Sequence, residues 1–221
     1  MGTLVKICGI ASADAADAAA RAGADFAGLV FFRRSPRFLN PQIAASLAER
    51  MRGRVRLVAL LADANDEEIS AAIAAANPDF LQLHGSETPE RVAAIRTRFG
   101  RPVIKSIAVA DASDLSAVPR YEAVSDMLLF DAKAPAGAQR PGGHGAAFDW
   151  QLLRNRNFAK PWLLAGGLNA ENITRAIQIS GAPGVDVSSG VETAPAVKSP
   201  QMIHDFVAAV RSVQFVKEEQ A

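Results

Sequence analysis

The chain has little of what most often declares a function: one cysteine, three histidines, two tryptophans and one tyrosine in 221 residues. The lone thiol, Cys8, cannot close an intramolecular disulfide, so no disulfide framework is expected and a reducing compartment suits the chain. His84, His144 and His204 are far apart and lack metal-ligand spacing, so no metal is expected. An excess of one charge is missing as well. Twenty-four Lys+Arg against 23 Asp+Glu leave a formal charge of +1, with nothing to spare for a nucleic-acid backbone or an anionic membrane. The run Arg50, Arg52, Arg54, Arg56 reads as a solvated helix end and strand start. No apolar run approaches the roughly 18 residues of a membrane span, and the first residues lack the layout of a signal peptide. Nucleic acid and membrane are thus excluded as expected partners, and the cytoplasm is the expected location.

What is present is a balance of 49% hydrophobic and 21% charged residues, enough apolar side chain to bury a full core. Short runs rich in Val, Ile, Leu and Phe recur: Leu4 to Cys8, Phe26 to Phe31, Arg56 to Leu61, Phe80 to His84, Val103 to Ile107, Met127 to Asp131, Trp162 to Ala165 and Val185 to Ser188. Each has the length and continuous hydrophobicity of a strand buried on both faces. Between them lie Ala-rich segments with helical spacing: Ala13 to Arg21, Gln42 to Met51, Glu67 to Ala76, Pro89 to Arg98, Ala112 to Tyr121, a short one from Asp149, Ala170 to Ile179 and Gln201 to Val213. Start signals accompany several of them: Ser12, Asp66, Thr88 before Pro89, and Asn169. Strand centres recur every roughly 23 to 34 residues, the span of a strand-helix unit. Eight alternating units imply a parallel sheet covered by helices, and that count closes into a single (β/α)8 TIM barrel, with a doubly wound open sheet as the alternative. No composition break divides the chain, so residues 1–221 read as one domain.

A barrel places its active site where strands end and βα loops begin, which makes polar residues at strand C-termini the candidates. Lys6 and Cys8 alternate onto one face of strand 1, and Asp186 and Ser188 onto one face of strand 8. A lone cysteine is commonly a buried small hydrophobe, but Cys8 precedes Gly9 at a strand end with a cation two residues earlier, a setting for a functional thiolate. Lys6 could serve as a Schiff-base lysine, yet its deeper position favours a buried partner of Asp186. Asp131 ends an otherwise apolar strand and must face the mouth or a partner. The segment Ala132 to Phe148, with Gly142-Gly143-His144-Gly145, has the length and glycine content of a lid. Gly166-Gly167 after strand 7 and Ser188-Ser189-Gly190 after strand 8 stand where barrels build phosphate sites from backbone N–H groups. Arg37, in Arg33-Arg34-Ser35-Pro36-Arg37, would suit a second anionic group such as a carboxylate, whereas a solvated charge run describes Arg33 or Arg34. His84 reads equally as a ligand contact or a satisfied structural donor.

These residues fall in stretches that resemble phosphoribosylanthranilate isomerases. The stretches are Lys6-Ile7-Cys8-Gly9-Ile10, Ser35-Pro36-Arg37, Leu81-Gln82-Leu83-His84-Gly85 with Glu87, Leu129-Phe130-Asp131, Phe148-Asp149-Trp150, Ala165-Gly166-Gly167-Leu168 with Asn172, and Gly184 to Glu192. They follow family order over essentially the whole chain, with His144 departing from the usual threonine of the lid. The resemblance implies a cofactor-free Amadori rearrangement of N-(5-phosphoribosyl)anthranilate in tryptophan biosynthesis, on a small phosphorylated substrate, by a monomer or homodimer. It implies Asp131 as general acid, Cys8 as base, Arg37 on the substrate carboxylate, Gly166, Gly167, Ser189 and Gly190 on the phosphate, and His84 and Asp186 as further substrate contacts. The residues taken alone stop earlier. They fit a phosphate-binding barrel with one acid and one thiol, which leaves open another aldose-ketose isomerase of sugar phosphates or a non-catalytic binding barrel.

Overall fold

The computed structural model describes residues 2–134 and 147–213, so the Gly142 to Gly145 segment and His144 lie outside the described residues. Eight parallel strands close in sequence order into one barrel: β1 (Leu4–Cys8), β2 (Phe26–Val30), β3 (Arg56–Leu61), β4 (Phe80–Leu83), β5 (Val103–Val109), β6 (Met127–Ala132), β7 (Trp162–Leu164) and β8 (Gly184–Val187). Helices α1 (Ala13–Ala22), α2 (Pro41–Met51), α3 (Asp66–Ala76), α4 (Pro89–Phe99), α5 (Val118–Glu122), α6 (Ile173–Ser180) and α7 (Pro200–Arg211) connect them. The fold is a single (β/α)8 barrel, and the open-sheet alternative is set aside by the β1–β8 pairing that closes the ring.

The strands are apolar on both faces because each face meets a different core. Phe26, Val58, Ile104, Met127, Leu129, Leu163 and Ala165 fill the interior, with Leu4 and Phe80 against them. The alternate residues, such as Val5, Ile7, Leu128 and Phe130, face outward to the helices. No helix among the described residues is long and apolar enough to cross a membrane.

Helix starts follow local capping chemistry. Ser12 and Thr88 accept the N–H groups of Ala15 and Arg91 as expected. At α3 the cap is Asn65 rather than Asp66; Asn65 and Glu68 exchange side-chain and backbone bonds, which places Asp66 in the first turn. Two segments are shorter than their spacing suggests. Ala112 to Tyr121 divides into a 3-10 helix (Ala112–Ala117) and the five-residue α5, and the piece after Asp149 is only a 3-10 helix (Trp150–Leu153). Helix α6 begins at Ile173, later than the spacing from Ala170 suggests, because the Asn169 side chain holds the N–H groups of Glu171 and Asn172 in a turn.

One charged knot fixes the mouth of the barrel at β4. The buried Lys105 ammonium donates to Glu87 Oε2 at 2.6 Å and to the carbonyls of Leu83 and Gly85, while Glu87 Oε1 accepts the N–H groups of Asp63 and Gly85. Removing one member of such a pair strands the other in low dielectric. Lys105→Met is expected to cost about 3–5 kcal/mol of unfolding free energy, measured by urea denaturation; a loss below about 1 kcal/mol would show that the knot is not structural.

Candidate active site

The interior of β1 carries a charge that the apolar barrel must neutralise. Lys6 is fully buried and lies in register with Asp186 across the β1–β8 seam, and its Nζ donates to Asp186 Oδ1 at 2.8 Å. Burial works against the Lys6 ammonium, but attraction to Asp186 and to Cys8 outweighs it, and the net direction is upward. Two residues on, Cys8 ends the strand, itself buried. Burial pushes its thiol above the ordinary range; Lys6 opposes the shift most strongly, Asp186 adds to it, and Lys198 opposes it weakly. Gly28 faces Cys8 across the β1–β2 register, and a Cβ there would sit 3.0 Å from the sulfur and 3.3 Å from Lys6 Nζ. The glycine inside β2 thus makes room for thiol and ammonium together.

Asp131, at the end of β6, has both carboxyl oxygens engaged. Oδ1 accepts the N–H of Ala132 at 2.9 Å, and Oδ2 lies 3.2 Å from Nε2 of His84. The other ring nitrogen, Nδ1, is 2.8 Å from Nε2 of the buried Gln82. His84 and Asp131 line a cavity of about 840 Å3, with Arg33 and Arg34 at its exposed rim and Ser106 and Ala108 on its β5 wall. Arg33 and Arg34 therefore border the mouth as well as the solvent. Cys8, Arg37 and the glycine turns do not line this cavity.

Arg37 is buried, and its guanidinium forms a two-pronged pair with Glu192, Nε to Oε1 at 2.6 Å and Nη2 to Oε2 at 2.7 Å. The Nη1 edge is the part that Glu192 does not take. Glu192 opens a small hairpin of β9 (Glu192–Ala194) and β10 (Val197–Lys198) in the loop after β8, and Lys198 Nζ reaches the same carboxylate at 2.5 Å. Burial would raise the Glu192 carboxyl, but Arg37 and Lys198 more than reverse it and hold it low. Burial dominates for Lys198, which ends below the usual ammonium range.

The two glycine turns meet backbone to backbone. Gly166 and Gly167 take left-handed φ values of 88° and 63°. The Asn172 side chain ties this loop down, donating to the Gly167 carbonyl and accepting the Asn169 N–H. Across from it, a Cβ on Gly190 would lie 1.9 Å from the Leu168 carbonyl oxygen, so only glycine fits there. Strand β8 ends at Val187, one residue earlier than expected; Ser188 turns the chain and Ser189 opens a 3-10 turn (Ser189–Val191) beside the Gly166-Gly167 loop.

Fold and site together define a (β/α)8 barrel whose strand ends carry a thiol, a carboxyl and two closely packed glycine loops. Comparison with known proteins makes this specific: the family model for N-(5'-phosphoribosyl)anthranilate isomerase matches residues 5–209, and the chain belongs to that family. N-(5'-phosphoribosyl)anthranilate isomerase of Rhodopseudomonas palustris is 51% identical over 212 residues, covering 96% of this chain and 100% of the relative. The crystal structure of phosphoribosyl anthranilate isomerase from Thermotoga maritima superposes with a TM-score of 0.84 at 33% identity, covering 94% of this chain and 98% of that one. A structure of phosphoribosyl anthranilate isomerase in complex with reduced 1-(o-carboxyphenylamino)-1-deoxyribulose 5-phosphate superposes at 0.80 with 30% identity, over 94% of this chain and 98% of its own.

Sequence reasoning left Glu192, Lys198, Gln82 and Gly28 without roles. Glycine within an apolar strand was the available signal for Gly28. Glu192 gave none, since its partner Arg37 is 155 residues away. The chain's single thiol makes one outcome simple to read. Alkylation of Cys8 by iodoacetamide is expected to stay slow at neutral pH and to rise with an inflexion above the ordinary thiol range, because burial disfavours the thiolate. An inflexion below that range would contradict the placement.

Proposed function

We propose that the chain is the isomerase of tryptophan biosynthesis that converts N-(5-phosphoribosyl)anthranilate into 1-(2-carboxyphenylamino)-1-deoxyribulose 5-phosphate. The observation that carries this reading is 51% identity to a relative of that name across nearly the full length of both chains. The bound, reduced product in a structural neighbour supports it, because that ligand has a phosphate at one end and a carboxylate at the other.

The chemistry asks for an acid, a base and two anchors. Asp131 protonates the ribose ring oxygen, and the C1–O bond breaks to leave a protonated Schiff base. Cys8 as thiolate removes the C2 proton, giving an enolamine that tautomerises to the ketone. A thiol raised by burial is a poor base until a cation lowers it; Lys6 stands beside it, and the cationic imine brings a second positive charge when formed. The Nη1 edge of Arg37 holds the anthranilate carboxylate, with Glu192 orienting the guanidinium plane. Backbone N–H groups around Gly166, Gly167, Ser189 and Gly190 hold the phosphate, as paired loops after the seventh and eighth strands do in such barrels. His84 and Asp186 serve as further substrate contacts, His84 beside Asp131 and Asp186 paired with Lys6.

Loss of anthranilate-type fluorescence from freshly generated substrate tests the reading. Cys8→Ala and Asp131→Asn are each expected to lower kcat by about 100- to 10,000-fold with native circular dichroism. Arg37→Ala is expected to act mainly on KM. Wild-type protein that decays the substrate no faster than buffer would overturn the isomerase, and near-normal turnover in either of the first two variants would remove that residue from its role.

A further inference from the structure

Gln82 sits inside the barrel on β4, fully buried, two residues before His84 and on the same face of the chain. Its Nε2 lies 2.8 Å from His84 Nδ1, while its Oε1 has no hydrogen-bond partner among the described residues. A buried amide oxygen without a partner is costly and calls for a reason.

The donor order around the amide bears on what Asp131 can do. With the Gln82 Nε2–H donating to His84 Nδ1, the imidazole proton must be on its Nε2, which donates to Asp131 Oδ2. Asp131 then accepts at both oxygens, because Oδ1 already takes the Ala132 N–H. A carboxyl that only accepts has no proton to give, yet a general acid must carry one. Turning the amide end for end exchanges Oε1 and Nε2 with almost no change of shape. Oε1 would then accept from His84 Nδ1–H, the ring Nε2 would present a lone pair, and Asp131 would donate its O–H to it. Either orientation leaves one amide atom unpartnered, so neither is favoured on that count.

We propose that Gln82 is a positioning residue for the acid: its amide has two orientations, coupled through the His84 tautomer to the absence or presence of a proton on Asp131. This rests on the reading of Asp131 as general acid. Uptake of one proton converts the form with ring Nε2–H and a carboxylate into the form with ring Nδ1–H and a carboxyl. When the carboxyl gives that proton to the ribose oxygen as the C1–O bond breaks, a carboxylate is left facing a ring lone pair. That repulsion favours the return of a proton, and one returns in each turnover because the isomerisation releases none.

Other charges line the same cavity, Arg33 and Arg34 after β2 and Asp63 and Glu68 on the β3 side, while Lys6 and Asp186 on β1 and β8 pair with each other. Cys8 ends β1; on β5 the cation, Lys105, is held by Glu87, and Lys133 after β6 pairs with Asp114. A neutral substitution at position 82 leaves all of these in place.

The test is 15N NMR of the histidine ring nitrogens in the substrate-free full chain over the whole pH range in which it stays folded, with His84 assigned by its own substitution, together with pH profiles of kcat and KM. In wild type the His84 ring proton is expected on Nδ1 when Asp131 carries its proton and on Nε2 when it does not, whereas a ring protonated on both nitrogens beside a carboxylate would overturn the proposal. In Gln82→Met that movement is expected to vanish, with KM within about twofold, kcat about tenfold lower at neutral pH, and activity regained on acidification. Gln82→Glu, which can only accept, is expected to hold Nδ1–H throughout. One tautomer shared by wild type and both variants, or a kcat loss of equal size at every pH, would overturn the proposal. The ring signals need no turnover, so an inactive wild-type protein would overturn the isomerase reading separately from this one.

Discussion

The buried Lys6–Asp186 pair is the constraint around which the rest of the molecule is arranged. An ammonium with no solvent exposure inside an apolar barrel is tolerable only beside its carboxylate, so the first and last strands must meet in the register that brings the two together. That meeting closes the ring at β8, whose other neighbour, β7, shares with it a single register pair, Leu164 with Val185. The pair need not add net stability, because desolvating both charges consumes much of their attraction. Its consequence is chemical: it holds a cation beside Cys8 in a place that water does not reach.

The same logic recurs around the mouth. Glu87 and Lys105 join the end of β4 to β5, and Arg37, Glu192 and Lys198 join the loop after β2 to the hairpin after β8. Each knot ties a βα loop to a neighbouring element, so the strand-end side chains are held by charge as well as by the backbone ladder. The Arg37 fork with Glu192 makes the point most directly: a guanidinium oriented in advance along its Nε–Nη2 edge presents Nη1 at little entropic cost. Gly190 against Leu168 works without charge, by allowing two loop backbones to approach where any side chain would separate them.

Much of this was legible in the sequence because buried parallel strands write themselves as short continuous apolar runs. Met127 to Asp131 shows it well: Leu128 and Phe130 face the helices, Met127 and Leu129 fill the barrel, and the acid that ends the run falls at the mouth. Cys8, Asp131 and the glycine turns were legible as polar or flexible residues at strand ends. The fifth helical segment was not, since an Ala-rich spacing also suits the 3-10 turns that a capping box at Asp111 and the proline at 119 impose. Nor could the carboxylate fork on Arg37 be read, because nothing local marks Glu192 as its partner. Gln82 was hidden for another reason: one amide in an apolar strand shows its meaning only when the ring beside it and the carboxyl beyond it are both in place.

The central claim is that a buried cation beside the thiol makes Cys8 a usable base despite its burial. Thiolate absorbance against pH measures this directly when read as the difference from Cys8→Ser in the same background, which cancels the tyrosinate of the single tyrosine and leaves the single cysteine. The comparison is between wild type and Lys6→Met/Asp186→Asn, which removes both charges and leaves neither stranded. Lys6 lowers the thiol more than Asp186 raises it, so the inflexion of the double variant is expected at higher pH than that of wild type. An inflexion that stays in place or moves to lower pH, in a protein that retains its fold, would contradict the account.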